Sequence, residues 1–207
     1  MGSTKRKILD LSGDLVGSLP GRCSRCCYWE SATAGEPGAC HIGEGKADWV
    51  TRCLAQGISP GKLLQIDGVT YAYIQHAPAR QVPRLMNMLY PRPSEDALYI
   101  SCIYVDPELR GRGLGKLLIA SVVRSQYRGK MRGLETHGIS SARPGPPGPA
   151  GFFEACGFRI VSKHLEAPLM RMDFKALAPF QEGVQSLLER LPLPSLARHP
   201  VPGSEAR

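Results

Sequence analysis

The chain has 207 residues, 26 Lys and Arg against 18 Asp and Glu, and a formal charge of +8. That length suits one domain with extensions and can bury a sizeable core. Hydrophobic residues make up 43%. No apolar run reaches the ~18 residues of a membrane span, and Met1–Asp10 lacks the apolar core of a secretory signal. A membrane protein and a disulfide-stapled miniprotein are thereby excluded, and a cytoplasmic location is expected.

In chain order, Lys7–Leu11 reads as a short strand and Asp14–Leu19 as at most one helical turn. Residues 20–45 are rich in Gly and Cys and read as a loop. Lys46–Gln56 has helical spacing, with Trp49, Val50, Cys53 and Leu54 apolar and Gly57 as its stop. Lys62–Ile66 and Val69–His76 flank Asp67-Gly68, a tight-hairpin signal, because Asp-Gly supplies the positive φ angles of that turn. Four prolines make residues 78–96 a long loop, with a short helix around Val82–Leu89. Ala97–Val105 is apolar at nearly every position, so it is expected in mid-sheet. Simple alternation would put Leu98, Ile100, Cys102 and Tyr104 on one face and Tyr99, Ser101, Ile103 and Val105 on the other. Leu114–Gln126 is an amphipathic helix and Arg132–His137 a strand. The four prolines of Ser140–Ala150 exclude regular helix there. Gly151–Cys156 reads as a short helix, Phe158–His164 and Leu169–Lys175 as a closing strand pair, Gln181–Leu191 as a terminal helix, and the last 16 residues as a flexible tail.

Charge is concentrated. Between Val105 and Arg132 seven basic residues face only Asp106 and Glu108. They surround Arg110-Gly111-Arg112-Gly113-Leu114-Gly115-Lys116, where a buried strand passes through Pro107 into a helix. The first N–H groups of a helix lack partners and carry partial positive charge, and glycines let a phosphate approach them. The stretch is therefore an anion cradle. It lacks the Ser/Thr after Lys of the nucleotide-hydrolase phosphate loop, and its glycines have the wrong spacing for a dinucleotide fingerprint.

The segment from Val105-Asp106-Pro107 to Gly115 resembles motif A of the GCN5-related N-acetyltransferases (GNAT), whose core is Arg/Gln-x-x-Gly-x-Gly/Ala after a strand ending Val-x-Pro. Phe152-Phe153-Glu154-Ala155-Cys156-Gly157-Phe158 is similar to the aromatic-Glu-x-x-Gly-Phe segment of the same superfamily. The resemblance covers about residues 62–175. Cys23-x-x-Cys26-Cys27-Tyr28-Trp29-Glu30 is similar to a Cys-rich Tyr-Trp-Glu segment in a bacterial branch of that family.

The resemblance implies an α/β fold of the α+β type, with a mixed, mostly antiparallel central sheet flanked by helices and split at a cofactor cleft. It implies acetyl-CoA as co-substrate. Residues Arg110, Gly111, Arg112, Gly113, Leu114, Gly115 and Lys116 would hold its pyrophosphate. Backbone groups of Ile103, Tyr104 and Val105 would lie free along its pantetheine, one N–H polarising the thioester as an oxyanion hole does.

Acid–base roles depart from the family pattern. The central strand has no Glu, and Phe153 stands where many relatives have a Tyr acid. Glu135 and His137 on the next strand, and Glu30 beside Trp29, are the candidate bases, with Glu135 preferred. The seven cysteines include half a zinc site in Cys23-x-x-Cys26, which Cys40, His41 and Cys53 could complete. Metal-free or redox-active thiols are preferred over zinc, since no second Cys-x-x-Cys is present. Cys102 and Cys156 read as core residues, an acyl-carrier role for Cys102 being the exception.

The resulting expectation is an N-acetyltransferase moving acetyl directly to a primary amine of a small molecule or peptide. The rival is a catalytically inactive acyl-CoA-binding regulatory module. A nucleic-acid partner is disfavoured for want of a recognition motif, and a monomer or homodimer is expected. Residues 1–60 are assigned to the N-terminal part of the domain, 61–176 to the core, and 177–207 to a terminal helix and Pro-rich tail.

Overall fold

A strand with apolar side chains on both faces needs cover on both faces, and the chain supplies it from two directions. In the computed structural model, which describes residues 5–32, 45–126, 129–139 and 145–175, seven strands form one sheet. They are β1 (Arg6–Asp10), β2 (Gly61–Ile66), β3 (Val69–Pro78), β4 (Ala97–Val105), β5 (Gly133–His137), β6 (Arg159–Ser162) and β7 (Leu169–Asp173), in the order β1-β2-β3-β4-β5-β7-β6. All neighbours are antiparallel except β4 and β5. The sheet is thus mixed and mostly antiparallel, as the family resemblance implies.

The helices are α1 (Lys46–Ala55), α2 (Pro83–Met86), α3 (Leu114–Gln126) and α4 (Ala150–Ala155). On one face α3 and α4 pack Leu117, Leu118, Val122 and Phe153 against Leu64, Ile74, Ile100 and Leu134. On the other, α1 and the N-terminal segment pack Trp49, Val50, Trp29 and Leu11 against Leu63, Tyr73 and Tyr99. Each such large side chain contributes about 1.5–3 kcal/mol on burial. Asp67 and Gly68, at φ 50° and 87°, make the β2–β3 turn that their sequence specifies.

Two departures from the sequence expectations matter to the site. First, β4 does not alternate simply. Gln75 pairs with Cys102 but His76 pairs with Ile100, so Ser101 is an extra residue on β4. This bulge reverses the phase. Tyr99, Cys102 and Tyr104 now associate with the α1 side, and Ile100, Ile103 and Val105 with the α3 side. Second, β4 and β5 pair only from Ala97 to Tyr99 against Gly133 to Glu135. Beyond that point the segment preceding α4 stands between them: Pro147 carbonyl accepts from Ile103 N–H at 3.4 Å, and Ile139 pairs with Pro149.

The closing strand at 158–164 is shorter than expected, ending at Ser162. The helix expected at 181–191, the tail and Cys40 fall outside the described residues. Among the described residues no helix is long and apolar enough to cross a membrane.

Candidate active site

The fold leaves a cavity of about 1230 Å³ along β4. At one end lies the glycine cradle. Gly111 and Gly113 have φ of 73° and 83°, which L side chains rarely adopt, and a Cβ at either would meet nothing within 4 Å. The backbone is therefore bare toward the cavity. The first turn of α3 leaves its N–H groups without intrahelical carbonyls. Gly115 has a different reason: a Cβ there would lie 2.9 Å from Phe152 Cζ, so α3 and α4 touch at this point. Arg110 and Lys116 line the cavity; Arg112 does not. Bare amides, a helix start and two cations suit a pyrophosphate.

Midway, the wall is Cys102, Ile103, Tyr104 and Val105 of β4, with Pro146, Pro147, Gly148 and Pro149 opposite and Phe152 of α4 beside them. The strand groups expected to be free have partners: Ile103 N–H as above, and Val105 carbonyl, which accepts from Arg110 Nε at 3.1 Å. The Pro-Gly segment fills the gap that the splay of β4 from β5 opens, and it competes for the backbone that a pantetheine would need.

At the far end are Cys23, Cys26, Tyr28, Trp29, Glu30, Lys46 and Tyr73. The Glu30 and Lys46 side chains are 1% and 5% exposed and 2.5 Å apart. Lys46 Nζ also donates to Gln75 Oε1 at 2.6 Å and lies 3.4 Å from Tyr73 Oη, which itself donates to Gln75. The second Glu30 oxygen accepts from Trp29 N–H at 3.1 Å. A buried ion pair is weak evidence for stability, since desolvation offsets most of its attraction. Its place on a cavity wall points to a chemical use instead.

Of the three candidate bases only Glu30 lines this cavity. Glu135 is fully buried elsewhere, accepting from Ser94 N–H at 2.6 Å, from Ser94 Oγ at 2.7 Å and from Arg171 at 2.9 Å. His137 is also fully buried, between Tyr99 Oη at 2.9 Å and Pro91 carbonyl at 3.0 Å. The expectation that the β5 pair faces the cleft is corrected. The segment at 147–149 takes the place beside β4, and the β5 side chains instead anchor the loop after α2.

Among the described residues no group of three or more His, Cys, Asp or Glu is arranged to hold a metal. Cys53 is fully buried in the core, Cys23 and Cys26 are half-buried free thiols, and Cys27 is disulfide-bonded, so the cluster is not uniformly thiol. Burial pushes the Cys23 thiol up to about 11 and Cys102 higher, which argues against either as a resting thiolate nucleophile. Burial likewise holds Tyr73 well above the usual phenol range, so it keeps its proton. Sequence reasoning missed Lys46, Tyr73 and Gln75. A lysine opening a helix carries no local sign of burial.

A sequence profile of the Acetyltransferase (GNAT) domain matches residues 79–160. No curated protein matches the chain. Solved structures share its fold. The PaiA N-acetyltransferase from Thermoplasma acidophilum, in complex with coenzyme A, is 11% identical with a TM-score of 0.54, over 82% of this chain and 99% of that one. YncA from Salmonella typhimurium, with its cofactor acetyl-CoA, is 13% identical with a TM-score of 0.54, over 82% and 94%. The loading GNATL domain of CurA from Lyngbya majuscula is 12% identical with a TM-score of 0.54, over 83% and 99%. The profile match spans the cradle and the solved structures share the sheet around it, so residues 79–160 carry the likeness to a GNAT acetyltransferase domain and the rest of the chain completes the same fold.

Proposed function

We propose that the chain moves an acyl group, acetyl in the simplest case, from a CoA thioester directly to a primary amine of a small molecule or peptide. The observation that carries this reading is the continuity of one cavity from the cradle, along β4, to Glu30. The amides of residues 111–116, with Arg110 and Lys116, would hold the pyrophosphate. Ile103 N–H would exchange Pro147 carbonyl for the pantetheine or the thioester oxygen, polarising the carbonyl. An ammonium does not attack a thioester, so a proton must leave first, and Glu30 is the carboxylate in place to accept it. In this reading residues 1–60 supply the acceptor wall and residues 61–176 the donor site.

One observation favours the second reading, a CoA-binding module without turnover: Phe153, at the usual acid position, is fully buried in the core. The two readings separate by experiment. Calorimetry measures acetyl-CoA affinity, and chromatography measures CoA release over a panel of amines and short peptides. Release with at least one acceptor, lowered about 10²-fold by Glu30→Gln at unchanged affinity, is the expected result. Binding with no release across the panel supports the module. No binding by the folded chain overturns both.

A further inference from the structure

The far end of the cavity already contains a primary amine beside a carboxylate. We propose that Lys46 is itself an acyl acceptor, so that the chain acylates its own Lys46 Nζ from acetyl-CoA. The proposal rests on the acyl-CoA reading above.

Lys46 is the first residue of α1 and one of two lysines on the cavity wall, the other being the exposed Lys116 at the cradle. Its Nζ is fixed at two points, by Glu30 at 2.5 Å and by Gln75 at 2.6 Å. Gln75 is the cross-strand partner of Cys102, next to the Ser101 bulge and one residue before Ile103. The amine is therefore held on the β4 side of the cavity, against the stretch of strand where the wall passes from donor to acceptor end. An exposed lysine must give up rotamer entropy and shed water before it reacts; this one has done both. The thiols nearby are the competing nucleophiles, and burial disfavours their reactive form.

The step balances without another reagent. Lys46 Nζ loses a proton to the Glu30 carboxylate and attacks the thioester carbonyl carbon. The N–C bond forms and the C–S bond breaks. The CoA thiolate leaves and takes the proton that Glu30 accepted, and the second amine proton passes to solvent. The product amide needs a donor for its carbonyl oxygen. Gln75 Nε2 is fully buried and has no hydrogen-bond partner among the described residues, so the same network contains an idle donor. Acylation would remove the charge that pairs with Glu30 and fill the acceptor end, slowing transfer to any external amine.

The test incubates the full chain with acetyl-CoA and follows intact mass and a tryptic map, with acetyl-CoA affinity measured in parallel by calorimetry. One acetyl group per chain on Lys46, with loss of tryptic cleavage after it, is expected. It should be slowed at least tenfold in Glu30→Gln and in Gly113→Asp, whose cradle is blocked, while adventitious labelling of exposed lysines persists in both. Tight binding with Lys46 unmodified, or label confined to exposed lysines, overturns self-acylation and leaves the acyl-transfer reading standing. Absence of binding by the folded wild-type chain overturns both.

Discussion

A neutral imidazole has one donor and one acceptor, and His137 uses both. Pro91 carbonyl can only accept, so Nε2 carries the proton, and Nδ1 accepts from Tyr99 Oη. A second proton would force the Tyr99 hydroxyl to turn from donor to acceptor inside the core. Burial, only partly offset by the Pro91 bond, holds His137 down at about 4, and burial holds His76 at about 3. Both values lie below the 6.5 of an unfolded histidine, so the unfolded chain binds protons that the folded chain refuses. Stability from this source is complete above about pH 6.5 and falls as the pH drops toward 4, by roughly 3 kcal/mol for His137 alone. The melting midpoint should therefore decline over that window. His137→Gln should melt lower at pH 7 but show a shallower decline. Parallel curves for the two proteins would mean that His137 titrates normally.

At the scale of elements, the contact between the start of α3 and α4 shapes the donor end. Gly115 brings the helix to within van der Waals reach of Phe152, whose ring forms part of the cavity wall. Gly115→Val must push that ring away, costing about 1–3 kcal/mol of overpacking and narrowing the cavity. Lower thermal stability and an acetyl-CoA affinity reduced at least tenfold are expected, and an unchanged affinity by calorimetry would sink the assignment of this wall. The cradle was legible in the sequence because its causes are local: glycines, a proline, a strand before and a helix after. So was the hairpin at Asp67-Gly68. The Glu30–Lys46–Gln75 network was not, because its members lie on a loop, a helix and a strand that only the tertiary fold brings together. The bulge at Ser101 was hidden for another reason. With apolar residues on both faces of β4, a shift of phase leaves no polar residue misplaced to reveal it. Glu135 and His137 misled for the complementary reason: a carboxylate and an imidazole on a strand look the same whether they face a cleft or a salt bridge.

The sheet has a seam where β4 parts from β5. β3 and β4 stay paired from Ala72 and Val105 to Pro78 and Leu98, across the bulge at Ser101, whereas β4 and β5 share only Ala97–Tyr99 with Gly133–Glu135. Beyond those residues the β1–β4 part and the β5–β7–β6 part meet through Thr136 Oγ1 on Ile100 carbonyl and through the Pro-Gly segment. The cavity runs along this seam, with β4 on one side and Gly148 and Phe152 on the other. A ligand lying in it touches both parts, and does so only in the folded chain. Its binding energy then adds to folding: about 2.7 kcal/mol at a concentration 100-fold above Kd. For a chain of this size each kcal/mol moves the melting midpoint about 2–4 °C, so acetyl-CoA should raise it by about 5–10 °C. The shift should shrink in high salt, because the cradle holds phosphates by charge. Pantetheine, which lacks the phosphates, should give a smaller shift at the same concentration. A thermal melt that stays cooperative but does not move with acetyl-CoA, up to the highest soluble concentration, would refute a ligand bridging the seam. An equal shift with pantetheine would instead place the binding energy on β4 and remove the cradle from it.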